Sequence, residues 1–152
     1  MISLLQRVSE ASVSVGGETI ARIKHGILAL VAIEKGDGSL EVERMAEKIV
    51  NFRLFEDSSG KMNRDLAASG GELLLVPQFT LAADTASGNR PSFSGSAEPD
   101  AARMHFDALV ALIKSRGYPV AAGRFGAAMQ VALINEGPVT FSLRVNAAAR
   151  PS

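Results

Sequence analysis

The sequence contains no cysteine and only two histidines among its 152 residues. Without cysteine, neither a disulfide framework nor a thiolate nucleophile is possible, and nothing points to an oxidising compartment. A Ser-His-Asp triad would have to use His25 or His105, and a histidine-rich metal site would need more histidines. The side chains on which most hydrolases depend are therefore scarce.

The chain also has no excess of positive or negative charge and no long apolar run. Sixteen Lys and Arg residues balance sixteen Asp and Glu residues, so no bulk field attracts nucleic acid or an anionic membrane. No stretch of about 18 apolar residues occurs, and the first apolar run is too short for a signal peptide. We expect a cytoplasmic protein without membrane association, in which any contact with RNA is local.

Apolar periodicity predicts many strands and two main helices. Hydrophobic residues make up 47% of the chain, and their alternating or continuous runs predict strands. These runs lie at 1–7, 12–15, 18–23, 26–33, 52–55, 72–76, 130–134 and 139–145. Gly16-Gly17 predicts a hairpin turn, and a second hairpin is predicted around 135–138, at the end of the domain.

The two helices are predicted from stripes of apolar residues at helical spacing. Ser39 is the predicted N-cap of the first, and Pro99 stands in the first turn of the second, which ends near Gly117. Strands outnumber helices and the connections are short. We therefore predict an α+β fold: a mostly antiparallel, curled or barrel-like sheet with two main helices packed outside. It forms one domain over 1–146, followed by a frayed tail over 147–152.

Most candidate acid-base groups have a simple structural interpretation. His25 lies in a turn and His105 within a helix, and neither has a visible partner for general-base chemistry. Glu56-Asp57 precedes Ser58-Ser59-Gly60, a composition typical of turns, although a carboxylate dyad is the alternative. Lys61 and Arg64 indicate a solvated loop, with a phosphate contact as the alternative.

Two short segments stand out as candidates for a site. In 77–81, Gln78 and Thr80 directly follow a buried strand, at the kind of strand end where pockets form. The simpler interpretation is a strand that leaves its sheet through Pro77. In 135–140, Gly137 and Pro138 form either a functional tip or only a tight turn, and a cis bond is rare at about 5–6% of X-Pro bonds.

Taken together, these two segments resemble the signature motifs of the bacterial D-aminoacyl-tRNA deacylases. The motifs are Leu-Val-Pro-Gln-Phe-Thr-Leu at 75–81 and Asn-Glu-Gly-Pro-Val-Thr at 135–140. Further similar segments lie at 5–8, 55–57, 60–63, 82–85, 90–94, 123–126 and 129–131. The resemblance covers about residues 1–145, and the combination is highly specific although each piece alone is weak.

The resemblance implies a homodimeric, cytoplasmic hydrolase that acts in translation quality control. Such enzymes bind the 3′ end of aminoacyl-tRNA and cleave the ester between a D-amino acid, or glycine, and the terminal ribose. They do not cleave L-aminoacyl-tRNA, and this selection between D and L substrates is called chiral proofreading. The implied chemistry needs no metal and no cofactor, and a ribose 2′-hydroxyl of the substrate positions or activates the attacking water. Ester hydrolysis aided by preorganised backbone donors fits a chain so poor in histidine and cysteine.

The resemblance also implies roles for individual residues. Gly137 and Pro138, joined by a cis bond, would enter the pocket of the other subunit and act as the chirality filter. The backbone amides of Phe79 and Thr80 would form the oxyanion hole, with Gln78 shaping the pocket. Phe125 and Met129 would lie near the terminal adenosine, and Pro77 would also contact the substrate.

Pro77 departs from the family pattern, which usually has Ser there. The change removes a hydroxyl and an N–H group, and it favours an extended conformation at Val76. Animal-type deacylases with relaxed chirality also have Pro before Gln. They differ, however, by Ala in place of Phe79 and by Gly-Thr-Pro in place of Gly137-Pro138, so the sequence resembles the strict branch more closely.

Three alternatives are left open by the sequence. The chain could be a nucleic-acid-binding module of the same fold without catalysis, or a dimeric enzyme that acts on a different small ester. Thr80 could itself be a nucleophile, although no base flanks it. Five cations are candidates for RNA contacts: Arg7, Lys61, Arg64, Arg90 and Arg124.

Overall fold

The sheet is built around one long strand, β1 (Ile2–Val15), in a computed structural model that describes residues 1–147. Gly16 and Gly17 have φ of 57° and 83°, so the chain reverses tightly into β2 (Glu18–Ile23), as predicted. β2 pairs with the second half of β1, and β3 (Gly26–Ala32) pairs with the first half. The two strands predicted at 1–7 and 12–15 are therefore one continuous strand.

The remaining strands extend this sheet into a curled, nearly closed barrel. β6 (Glu72–Pro77) runs parallel to β3, and β7 (Val120–Ala122) runs parallel to β6. The order is β2-β1-β3-β6-β7, and the two end strands of this order, β2 and β7, approach each other. The predicted α+β class and barrel-like sheet are confirmed; the sheet is mixed, with antiparallel pairs in the majority among the described residues.

Three α-helices lie outside the sheet in the described part of the chain. They are α1 (Ser39–Asn51), the short α2 (Leu66–Ser69) and α3 (Pro99–Ser115). The predicted N-cap Ser39 is wrong by one residue, because Gly38 is the cap and its N–H donates to a Glu41 carboxylate oxygen at 2.8 Å. The buried stripes of α1 and α3 pack on the core of the sheet.

The hairpin predicted at the end of the domain is wrong. One strand, β8 (Gln130–Arg144), runs through the whole region and pairs antiparallel with β1. The register shifts on either side of Val8, between Gln6 and Val8 and between Val8 and Glu10, and Arg7 has no register partner on β8. The Gly-Pro step is therefore a bulge that projects from a continuous strand rather than a turn that reverses the chain.

Several short elements differ from the prediction or were not predicted. The strand expected at 52–55 is β4 (Phe55–Glu56), which forms a separate hairpin with β5 (Met62–Arg64). β5, α2 and β7 have no apolar periodicity long enough to indicate them. Of the predicted tail 147–152, all but Ala147 lies outside the described residues. No helix within residues 1–147 is long and apolar enough to cross a membrane.

Candidate functional site

A cavity of about 490 Å³ opens at the end of β6. We call it the Pro77 cavity, because Pro77 is the last residue of β6 and forms part of its wall. Its walls also include the first turn of α3 and the segment between β7 and β8. The lining residues are Val76, Pro77, Gln78, Phe79, Ser96, Ala97, Pro99, Ala102, Phe125, Gly126, Ala127, Met129 and Val131. The predicted pocket at this strand end is therefore present.

The chain changes conformation directly after Pro77. The Gln78 N–H donates to the Val31 carbonyl at 2.7 Å, which continues the attachment to β3 although Pro77 has no N–H to offer. A 3-10 helix then runs over Phe79–Ala82. Its first intrahelical donor is Leu81, whose N–H bonds the Gln78 carbonyl at 3.2 Å.

The backbone N–H groups of Phe79 and Thr80 have no acceptor within residues 1–147. They are the unsatisfied donors that the start of every helix leaves. Phe79 lines the Pro77 cavity, and Thr80 follows it. Two consecutive donors of this kind, beginning at a residue that lines a cavity, can stabilise a negative charge that develops on an oxygen atom.

Side-chain contacts stabilise residues 78–80 around these donors, which we call the rim of the cavity. The Gln78 side-chain amide donates to the Thr80 hydroxyl oxygen, so the two side chains bridge the start of the 3-10 helix. Phe79 is 56% exposed, and its ring lies 5.1 Å, between centroids, from the Phe93 ring. Of the three residues predicted to form the oxyanion hole and shape the pocket beside it, Gln78 and Phe79 line the cavity and Thr80 does not.

Another part of the cavity wall is apolar and contains both residues predicted to lie near the adenosine. Phe125 and Met129 line the cavity, and each is half-buried. Gly123 lets this wall approach β6 closely, because a Cβ there would lie 3.0 Å from the Met129 Sδ and 3.4 Å from the Pro77 Cδ. The wall suits a flat aromatic or apolar group more than an ion.

Gly137 and Pro138 lie elsewhere, on the bulge of β8. Both are exposed, neither lines the Pro77 cavity of its own chain, and the peptide bond between them is cis. Gly137 has φ of 150°, a conformation that L side chains rarely adopt. The structure therefore does not bring these two residues together with the cavity within one chain.

Two side chains hold the bulge. The Asn135 Oδ1 accepts from the Val139 N–H at 2.8 Å, and its Nδ2 donates to the Thr140 Oγ1 at 2.9 Å. Arg7 donates from Nε to the Glu136 carbonyl and from Nη1 to the Leu54 carbonyl, each at 2.9 Å. The bulge is thus fixed by bonds across its base, and no side-chain hydrogen bond to its tip, Gly137 and Pro138, occurs within residues 1–147.

Arg7 was predicted as a candidate RNA contact, and this interpretation is wrong. The residue is only 9% exposed, and its guanidinium is occupied by backbone carbonyls and lies 3.7 Å from the Glu56 carboxylate. The only sequence signal for its structural role was its position in a buried strand. Arg64 also donates to a backbone carbonyl, that of Ala68. The remaining candidates are exposed: Lys61, Arg90 and Arg124.

Neither histidine lines the cavity, and the Asp57 carboxylate is used within its own turn. His25 packs on Phe55 with ring centroids 5.1 Å apart, and neither it nor His105 lines the cavity. The Asp57 carboxylate accepts from Ser59 and Asn63 side chains and from backbone N–H groups in its turn, as the turn interpretation predicted. These hydrogen bonds, of which the one from the Ser59 side chain has the largest effect, hold the pKa of Asp57 well below its usual range. No group of acidic or histidine side chains within residues 1–147 could hold a metal ion.

The fold and the cavity together define a small α+β protein whose site is a strand-end cleft with backbone donors. Residues 4–144 match the family model described as D-Tyr-tRNA(Tyr) deacylase. The chain is 60% identical over 144 residues to the D-aminoacyl-tRNA deacylase of Methylococcus capsulatus, with 95% of this chain and 94% of that protein covered. It is 57% identical over 145 residues to that of Thioalkalivibrio sulfidiphilus, with 95% and 97% covered. The chain therefore belongs to the D-aminoacyl-tRNA deacylase family.

Two solved structures are similar to this chain. A protein titled c-Myc DNA Unwinding Element Binding Protein has a TM-score of 0.91 and 38% identity, with 96% of this chain and 99% of that chain covered. A second structure, titled as a probable eukaryotic D-amino acid tRNA deacylase, has a TM-score of 0.81 and 15% identity, with 93% and 97% covered. The second likeness is one of fold alone.

Proposed function

We propose that the protein is a D-aminoacyl-tRNA deacylase, a hydrolase that acts in translation quality control in the cytoplasm. Its substrate is the 3′ end of an aminoacyl-tRNA, and the bond it cleaves joins a D-amino acid, or glycine, to the terminal ribose. Family membership and the named relatives support the reaction class. The alternatives, a non-catalytic nucleic-acid-binding module and an enzyme for another small ester, are not favoured, because neither explains both the backbone donors and the Gly-Pro bulge.

The observation that carries this proposal is the pair of unpaired N–H groups of Phe79 and Thr80 at the cavity rim. Hydrolysis of an ester passes through a tetrahedral intermediate with negative charge on the former carbonyl oxygen. Preorganised donors stabilise that charge without any cost of reorientation during the reaction. Gln78 holds the Thr80 side chain and so keeps the rim in place.

The apolar wall receives the terminal adenosine in this proposal. Phe125 and Met129 offer a half-buried apolar surface in the same cavity as Gln78 and Phe79. Flat nucleobases stack readily on aromatic side chains. With the base against this wall, the ribose and its ester lie in the space between the wall and the N–H donors.

The attacking water is positioned by the substrate rather than by a protein base. Neither histidine lines the cavity, and the lining residues include no carboxylate. A ribose 2′-hydroxyl next to the ester supplies the needed hydrogen bond. A nucleophilic Thr80 is not favoured, because the partner of its hydroxyl is the Gln78 amide, which cannot accept a proton as a base does.

Chirality is filtered by a second copy of the chain. Gly137 and Pro138 are exposed on a braced bulge and absent from their own cavity, which suits insertion into the cavity of a partner in a homodimer. Backbone carbonyls at the tip hold the amino group of the substrate and leave no room for an L side chain. The filter is rigid because its base is bonded to Arg7 and Asn135.

Mixing two variants that each damage the site tests whether the filter acts between subunits. Gly137→Ala damages the bulge, and Thr80→Pro removes an N–H donor from the rim. In a mixed dimer, one site combines an intact rim with an intact bulge, so we expect co-refolded protomers to recover fast, D-selective hydrolysis that neither variant shows alone. Dimerisation is measured in parallel by sedimentation. Recovery with no dimer, or dimers with no recovery, contradicts a filter in trans.

Replacing Pro77 with the more usual serine is expected to change deacylation of D-aminoacyl-tRNA by less than about one order of magnitude. The reason is that the next residue, Gln78, is already bonded to Val31 at 2.7 Å and fixes the start of the 3-10 helix. One hydrogen bond is worth about 0.5–1.5 kcal/mol, or at most about tenfold. Steady-state kinetics on matched D and L substrates measure the effect, and complete loss of activity contradicts the explanation.

A further inference from the structure

Arg103, on α3, lies at the edge of the Pro77 cavity and has no role in the machinery described above. Its Cζ is 5.2 Å from the centroid of the Phe125 ring. Its Nη2 is 3.6 Å from where a Cβ would lie on Gly126. Both Phe125 and Gly126 line the cavity. The guanidinium therefore rests on the segment between β7 and β8 that forms part of the cavity wall.

The guanidinium forms no ion pair and no hydrogen bond among the described residues. Asp100 and Asp107 stand three residues before and four residues after it on the same helix, the spacings at which surface ion pairs form. Arg103 contacts the aromatic ring instead. A guanidinium stacked on a ring keeps the N–H groups of its planar edge free to donate, which is a geometry that suits a phosphate.

We propose that Arg103 binds the 5′-phosphate of the terminal nucleotide of the tRNA, a contact that rests on the proposed function. The ester and this phosphate belong to the same nucleotide. With the base against Phe125 and the ester at the rim, the phosphate leaves the cavity together with the rest of the RNA through the mouth that Arg103 flanks. Arg103 then forms charge-assisted hydrogen bonds to the phosphate oxygens.

The charge balance of the chain makes one well-placed cation important. The net formal charge is zero, Glu98 and Asp100 stand at the start of α3, and the exposed Arg124 directly precedes Phe125. Phosphate contacts usually supply most of the affinity for nucleic acid. An arginine held against the cavity wall contacts the phosphate only when the ester lies in the site. A basic surface spread over the protein would attract RNA without positioning the ester.

The test compares substrates with and without the phosphate. Arg103→Gln removes the charge and keeps a similar length, and the control Arg44→Gln makes the same change at an exposed position on α1. Three probes are used: D-Tyr-tRNA, a D-tyrosyl cytidylyl-adenosine dinucleotide that contains the phosphate, and 3′-D-tyrosyl-adenosine, which lacks it. For each probe, KM and kcat are measured separately at several salt concentrations.

We expect Arg103→Gln to raise KM about fivefold to tenfold for tRNA and for the dinucleotide, with kcat unchanged. The adenosine ester should change less than twofold, and Arg44→Gln should change none of the three. Because one phosphate contact is lost, the salt dependence of log kcat/KM for tRNA should become shallower by about 0.7. Arg103→Lys should recover part of the loss, since the charge returns without the planar donor edge.

Two results overturn this proposal. An equal loss on all three probes means that Arg103 only supports the Phe125 ring, and no loss on any probe means that the phosphate lies elsewhere. Failure of the proposed function is distinguishable from both, because the unmodified protein would then hydrolyse none of the probes.

Discussion

Replacing Gly137 with alanine is expected to lower kcat/KM for D-aminoacyl-tRNA by about 100-fold or to abolish the preference for D over L substrates. A Cβ at this position would lie 2.6 Å from the Val139 Cγ2 and 2.8 Å from the Val139 nitrogen, and φ is 150°. The bulge must therefore shift, and a displacement of about 1 Å in a positioning element costs about 10²-fold in rate. Deacylation of D-Tyr-tRNA and L-Tyr-tRNA measures both effects.

Folding should survive this substitution, because Gly137 is exposed and the bonds at the base of the bulge do not involve it. Gly117→Ala is the matched control. Gly117 also has positive φ, at 87°, but a Cβ there meets nothing within 4 Å and the residue lies away from the Pro77 cavity. We expect that control to retain full activity. Unchanged rate and stereoselectivity in Gly137→Ala would refute the proposed filter.

Removal of the Thr80 N–H is expected to reduce kcat by about 10²–10³, the range seen when one oxyanion-hole donor is lost in the protease example. The cleanest change exchanges the amide between Phe79 and Thr80 for an ester, with the hydroxy-acid analogue of threonine at position 80. This exchange keeps the side chain and removes only the donor. Thr80→Pro is the genetically encoded version, although proline also restricts the residue before it. Single-turnover kinetics on D-Tyr-tRNA separate the chemical step from binding.

Thr80→Val is the control for the donor experiment. It removes the hydroxyl and the contact with Gln78 but keeps the N–H group. We expect it to remain within about tenfold of the unmodified protein, because only one neutral hydrogen bond is lost. If Thr80→Val is as inactive as the ester, the hydroxyl acts as a nucleophile and the backbone mechanism is wrong.

The sequence predicted the elements whose signals are local. The apolar stripes of α1 and α3 are long enough to define each helix, and Gly16-Gly17 defines the first hairpin. The bulge of β8 was misread because Gly and Pro are typical of turns, whereas pairing with β1 on both sides keeps the strand continuous. β7 has only three residues, and its conformation depends on its pairing with β6.

The candidate site could be predicted in part for the same reason. The position of 77–81 at the end of a buried strand pointed to this segment, and the family resemblance added Phe125 and Met129, which the fold brings to the same cavity. The anchoring of the bulge by Arg7 joins residues 129 positions apart in the chain, so no spacing rule could reveal it. The stacking of Arg103 on Phe125 is likewise a tertiary contact, which no local spacing along the chain indicates.

The most direct test of the account is deacylation of matched D-Tyr-tRNA, L-Tyr-tRNA and Gly-tRNA by the purified protein, without added metal and again with a chelator. The account predicts rapid loss of the D-tyrosyl and glycyl esters, survival of the L-tyrosyl ester, and no effect of the chelator. Equal cleavage of the D and L esters would show that the chirality filter does not reject L substrates when residue 77 is proline. Cleavage of none of the three would contradict the deacylase assignment and favour a nucleic-acid-binding module of the same fold.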